Sequence, residues 1–160
     1  MIRLIAAMDE RRGIADDSGI PWQGRIPSDA AYFRTQTTGG VILMGFRTYE
    51  EFDRPLGGRT NFVVMRPGGR PLRPGFESVE DLSPFLAAHA GEVVWVIGGA
   101  ALYAQALPLA DELYLTRLAG DFHCTRFFPA FEGPFVLVSS EGPTEEGGIE
   151  FRFEVWRASG

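Results

Sequence analysis

The 160-residue chain contains no lysine, a single cysteine (Cys124) and only two histidines, His89 and His123. A lone cysteine cannot close an internal disulfide, so a reducing, cytoplasmic setting is expected. So few soft ligands argue against a zinc centre, and no metal is expected. Without lysine no GxxxxGK phosphate loop is possible, no GxSxG elbow is present, and neither histidine stands near a defensible Ser–Asp pair. No apolar run approaches membrane-spanning length, and the opening MIRLIAAM reads as a strand rather than a cleavable signal. The net charge of −6 argues against general nucleic-acid binding. These absences leave a single domain over residues 1–160, expected to be a monomer whose partner is a small molecule, with neither nucleic acid nor membrane involved.

The charge that is present is unevenly placed. From Arg25 to Arg73 there are eight arginines against four acids, whereas the rest of the chain has seven arginines against seventeen acids. A basic segment in an acidic protein suits an anionic small ligand, and arginine is the better fork for carboxylate and phosphate. Strand-like runs at Ile2 to Met8, Val41 to Met44, Phe62 to Met65 and Val93 to Ile97 alternate with helical stretches, which implies parallel pairing. The helices are expected from Ser28 (as N-cap) to before Gly39, from Thr48 (capping box with Glu51) to before Pro55, from Val79 (Ser78 as N-cap) to about His89, and over AALYAQAL. Leu113 to Arg117, Phe135 to Ser140 and Ile149 to Trp156 end the chain as strands, an antiparallel edge. Asp9 to Gly19 and Arg66 to Gly75 read as loops, the first of them mobile.

Two junctions, LMGFRT (Leu43 to Thr48) and VIGGAA (Val96 to Ala101), each end a buried strand at glycine and start a helix whose free amides favour phosphate. Arg47 and Arg66 lie beside the first. Between the strands, IPWQGRIPSDAAYF (Ile20 to Phe33) puts Asp29 in the first turn of a helix, at the edge of an apolar face formed by Ile26, Ala30 and Phe33. A surface acid favoured by the helix dipole is the plain alternative. One carboxylate, apolar walls and a dinucleotide would most simply serve hydride transfer, with the cofactor supplying the reactive atom.

IPW with IPSDAAYF, then VILMGFRTYEEF, RPLGGRTNFVV, VWVIGGAALYAQAL and ADELYLT resemble, in order and spacing, the dihydrofolate reductase family. The resemblance is close from Ile2 to Thr116 and general over the last forty residues. It implies a mixed, mostly parallel eight-stranded sheet flanked by about four helices, and NADPH-dependent reduction of 7,8-dihydrofolate to tetrahydrofolate by hydride transfer to pterin C6. It further implies that Asp29 binds the amino edge of the pterin, with Thr116 reinforcing that edge and Trp22 holding a nearby water. Ile5, Ala7, Ile20, Phe33, Phe52, Leu56, Ile97 and Tyr103 would wall the substrate. Arg59 would fork onto the glutamate carboxylate, with Arg34 and Arg54 at the rim.

For the cofactor, the resemblance assigns Gly45, Phe46, Arg47, Thr48, Met65 and Arg66 to the adenosine end. Ala7, Ile97, Gly98, Gly99, Ala100, Ala101, Leu102 and Tyr103 take the pyrophosphate and nicotinamide side, with a cis peptide between the two glycines. Gly13 to Ile20, including Ile14, Ser18 and Gly19, would close over the nicotinamide. The chain departs from the family's pattern in four places: a longer Trp22-to-Asp29 segment, Phe46 where relatives place a base for the 2′-phosphate, Ala15 in place of a loop glycine, and Ala30 in place of a larger apolar residue. Two other readings fit the same residues: a same-fold pyrimidine reductase of riboflavin synthesis, and a folate- or nucleotide-binding protein without turnover.

Overall fold

The computed structural model describes every residue from Met1 to Gly160. Its first strand, β1 (Ile2–Met8), has Leu4 and Met8 wholly buried and Ile5 nearly so. A strand apolar on both faces belongs in the middle of a sheet, and β1 has parallel neighbours on both sides. The chain continues through β2 (Gly13–Ala15), α1 (Pro27–Thr37), β3 (Val41–Gly45), α2 (Phe46–Glu50), β4 (Thr60–Val64), β5 (Phe76–Val79) and α3 (Leu82–Ala88). It ends with β6 (Val94–Val96), α4 (Ala100–Ala106), a short 3-10 turn at Leu107–Leu109, β7 (Glu112–Leu118), β8 (Arg126–Phe127), β9 (Phe135–Glu146) and β10 (Ile149–Ala158).

Eight strands form one sheet in the order β5-β4-β3-β6-β1-β7-β10-β9, and β2 pairs with β8 outside it. Pairing is parallel from β5 to β7 and antiparallel for β10 with β7 and β9. The chain leaves β1 for β3, moves outward to β5 and returns to place β6 between β3 and β1. That reversal opens a crevice at the carboxyl ends of the central strands, where open α/β sheets bind ligands. On one face α3 and α4 cover a core that includes Leu4, Leu43, Phe85, Leu102 and Leu115. On the other, α1 and α2 cover Ile5, Ile42, Met44 and Trp95. A third cluster (Trp22, Ile26, Leu118, Cys124, Ile149 and Phe151) lies where β7 meets β10.

Several elements depart from the sequence expectation. Ser28 is not the N-cap of α1: Pro27 opens the helix, Ile26 precedes it, and Ser28 bonds elsewhere. The helix α2 starts at Phe46, two residues before Thr48, so no capping box forms there. Ser78 lies inside β5, a strand missed because SVED also fits a helix start; α3 begins after Asp81 instead. The connection after β1 is anchored rather than loose. The Asp9 carboxylate accepts hydrogen bonds from the amides of Arg11 (2.9 Å), Gly13 (2.8 Å) and Phe122 (2.9 Å), and β2 pairs with β8. Ala30 is exposed, so the apolar face of α1 rests on Ile26 and Phe33, with Tyr32 beside them.

Candidate functional site

Parallel pairing sets Ala7 beside Thr116 and aligns Leu4 and Leu43 with Val96. It therefore brings Ala7, Gly45, Ile97 and Thr116 to the same rim. Asp29, in the first turn of α1, reaches this rim from above: Thr116 Oγ1 donates to its carboxylate at 2.6 Å. Thr116 is buried, and no cation pairs with Asp29. Burial pushes the Asp29 carboxyl above its ordinary value, and the Thr116 hydroxyl partly offsets that rise. One turn on, Tyr32 stacks on Phe153 with ring centroids 4.1 Å apart, and Phe153 is the β10 residue in register with Thr116. The helix is thus pinned to the strand pair that presents Thr116. The Tyr32 phenol is pushed up to about 12, by burial first and then by Tyr114, Glu141 and Asp29.

Ile5, Phe33, Phe52, Leu56 and Ile97 meet in the cluster beneath α1 and α2, which makes one apolar wall. Beyond it Arg59 is held in a fixed pose. Its Nε donates to Gly57 O (2.9 Å), its Nη1 donates to Thr37 Oγ1 (3.0 Å), and the guanidinium lies 6.0 Å from the Phe33 ring centre. Nη2 has no protein partner, and no carboxylate neutralises the group. Burial and then the like charge of Arg34 lower its pKa, as expected of an electropositive spot waiting for an anion. Arg34 and Arg54 are exposed at its edge.

Across the crevice, Gly45 N donates to Gly98 O at 2.7 Å, and the Gly98–Gly99 peptide is cis. Gly98 has φ +112°, and a side chain there would press on the Tyr103 ring, 3.1 Å away, so glycine is required. Tyr103 Oη donates to Ile5 O at 2.7 Å, tying α4 to β1; burial, then the Asp29 charge, raises its phenol. Both α2 and α4 start at a glycine with no side-chain cap, which leaves their first amides free at the crevice. Thr48, Met65 and Ala100 are half-buried nearby, and Phe46, Arg47, Arg66 and Ala101 are exposed, neither arginine being in an ion pair.

Not every expected residue faces this space. Leu102 is sunk in the core, so only its backbone is available, and Ile14 packs against the same core. Trp22 is buried, edge-on to Phe122. Ser18 and Gly19 lie in a tight turn closed by Asp16, whose backbone carbonyl accepts from Arg126, and Ile20 is exposed beside it. Sequence reasoning missed the Tyr32–Phe153 stack and the Asp9 clamp. The available signals were Tyr32 three residues after Asp29, and an aspartate ending a strand four residues before a glycine.

The profile of the family described as Dihydrofolate reductase matches residues 1–158. A dihydrofolate reductase of Bacillus subtilis (strain 168) is 40% identical over 156 residues, covering 96% of this chain and 91% of that protein. The chain belongs to the dihydrofolate reductase family. A further relative, dihydrofolate reductase type A13 of Escherichia coli, is 36% identical, with 97% and 93% covered. A dihydrofolate reductase of Drosophila melanogaster is 32% identical, with 95% and 94% covered. Among solved structures, dihydrofolate reductase from Enterococcus faecalis complexed with NADP(H) and RAB-propyl superposes with a TM-score of 0.88. At 24% identity it covers all of this chain and 97% of that one, and it shares the dihydrofolate reductase fold. The family match runs through β9 and β10, beyond the Ile2 to Thr116 span over which the motifs were close.

Proposed function

We propose that the protein reduces 7,8-dihydrofolate to 5,6,7,8-tetrahydrofolate using NADPH, as a cytoplasmic monomer. The observation that carries this reading is the partly buried Asp29 carboxylate, bonded to Thr116 and left without a cation at the rim of the crevice. A carboxylate offers two acceptors side by side, which match the paired N–H donors of a pterin's amino edge. Thr116, fixed on β7, sets the angle of the acid. Ile5, Phe33, Phe52, Leu56 and Ile97 offer the flat ring an apolar wall that keeps water from that side. Arg59 meets the carboxylate tail with an already oriented fork, so little rotamer freedom is lost on binding.

The residues across the crevice fit a dinucleotide. The close backbone approach of Gly45 to Gly98 and the uncapped starts of α2 and α4 suit the pyrophosphate, and Arg47 and Arg66 are free for a 2′-phosphate although Phe46 is not basic. When bound, NADPH supplies the hydride that reaches pterin C6. The turn from Gly13 to Ile20 is held at its base by Asp9 and Arg126 and would have to swing over that meeting point to exclude water. The 36–40% identity to proteins named dihydrofolate reductase favours this activity over a pyrimidine reductase or a binding protein without turnover. NADPH oxidation followed with and without dihydrofolate tests it: oxidation should require dihydrofolate, and oxidation indifferent to dihydrofolate would refute the reading.

A further inference from the structure

The segment between Trp22 and Asp29 does not stand free. The tip of the β9–β10 hairpin grips it at three points. Arg25 Nη2 donates to Gly147 O (3.1 Å), Ser28 N donates to Glu146 Oε1 (2.7 Å), and Ser28 Oγ donates to Glu146 Oε2 (2.5 Å). Beneath these bonds, Ile26 and Ile149 are buried in the cluster with Trp22 and Phe151. Helix α1 has no side-chain cap of its own, since Ile26 stands at its N-cap and Pro27 follows. The helix's first free amide, that of Ser28, is therefore satisfied by a carboxylate 118 residues away. A negative group is favoured at that end of a helix. Consistently, the two Ser28 bonds hold the Glu146 carboxyl below the usual carboxylate range.

Ser28 immediately precedes Asp29, whose carboxylate accepts one hydrogen bond, from Thr116, while its amide donates to Ile26 O and Tyr32 on Phe153 holds the next turn. Resting on the folate-reducing activity argued above, we infer that Glu146 is a positioning residue for Asp29: it caps α1 from the hairpin, fixing the first helical turn and so the acid's approach to the ring. Glu146 does not touch the substrate. Its influence reaches the dihydrofolate half of the crevice through Ser28, and no side-chain hydrogen bond or ion pair joins the hairpin tip to the cofactor half.

The test compares Glu146→Ala, Glu146→Gln and Ser28→Ala with the parent protein in two measurements. The first is amide hydrogen exchange of residues 28–31 in the ligand-free protein, which needs no turnover and so stands even if dihydrofolate proves not to be the substrate. Glu146→Ala should speed that exchange about tenfold while leaving the α4 amides unchanged. The second is steady-state kinetics. Glu146→Ala should lower kcat/KM for dihydrofolate about tenfold with the KM for NADPH within twofold. Glu146→Gln should restore most of the loss, because its carbonyl still accepts from Ser28 N and its amide can donate to Ser28 Oγ. Ser28→Ala, an exposed and mild change that keeps the backbone bond, should give an intermediate effect. Unchanged exchange at residues 28–31 in both alanine variants would overturn the inference, as would equal losses toward dihydrofolate and NADPH, which mark a general loss of structure. A parent protein inert toward dihydrofolate would refute the activity and leave the exchange result to decide the capping.

Discussion

At the scale of single residues, Asp29 is expected to trade stability for function. Burial makes its ionisation dearer in the folded chain than in the unfolded one, so its folded pKa is raised. Such a group stabilises the fold fully below the ordinary carboxyl range, where it is neutral in both states, and that contribution is lost as pH rises through the raised folded value. Asp29→Asn, neutral at every pH and still able to accept from Thr116, should therefore withstand more denaturant than the parent at pH ~7 and match it near pH ~3. Its kcat/KM for dihydrofolate should drop about a hundredfold or more, since one acceptor facing the ring becomes an amide donor and the other loses its charge. Denaturant titrations at the two pH values and one kinetic series check both halves; a destabilised variant at neutral pH would contradict the burial argument. Arg59 works at the other end of the substrate. Its guanidinium is positioned by Gly57 and Thr37, with Nη2 uncommitted, so Arg59→Ala should raise the KM for dihydrofolate roughly ten- to a hundredfold and leave that for NADPH alone.

At the scale of elements, long-range partners decide what local signals leave open. Helix α2 has five residues, too few to hold itself, and its C-terminal carbonyls are satisfied from outside. Arg73 Nη2 donates to the carbonyls of Tyr49 and Phe52, and its guanidinium lies 4.1 Å from the Tyr49 ring centre. Arg73→Ala should cost about 1–3 kcal/mol of unfolding free energy, read from the shift in a urea midpoint, because Phe52 O loses its donor, Tyr49 O loses one of its donors and the guanidinium leaves the Tyr49 ring. Arg73 stood in a stretch rich in proline and glycine, and nothing local showed that it caps a helix. The same holds for Ser28 and Glu146, and for Ser78, whose cap-like surroundings hid β5. What was readable depended on burial by both faces: β3 and β6 are apolar throughout, β1 is apolar but for Arg3, and all three could be nothing but central strands. Asp29 drew notice as a charge in the first turn of a helix beside apolar residues, and the Gly98–Gly99 junction as paired glycines closing an apolar strand, whereas Thr116, inside β7, was named only through the family resemblance. Tyr32 on Phe153 was not readable, since a stack between residues 121 positions apart leaves no mark in either neighbourhood.

At the scale of the whole molecule, two electrostatic influences act on an anionic ligand in opposite directions. The body carries a net charge of −6 and repels it, whereas the segment from Arg25 to Arg73 has twice as many arginines as acids and attracts it. Their ranges differ. Repulsion from the whole body is felt over tens of ångströms, which survives only at very low salt, because the screening length is about 30 Å at 0.01 M and about 8 Å at 0.15 M. Within that shorter range an approaching ligand meets chiefly the exposed Arg34, Arg47, Arg54 and Arg66 and the held Arg59, none of them neutralised by a carboxylate. The local surplus should therefore govern association, and further salt should weaken it. The kcat/KM for both dihydrofolate and NADPH is expected to fall about three- to tenfold between roughly 0.05 and 0.5 M sodium chloride. Below that range, where the body's repulsion is unscreened, the curve should flatten or turn over. A kcat/KM that rises steadily with salt would mean that the acidic body, rather than the arginines around the crevice, sets the encounter.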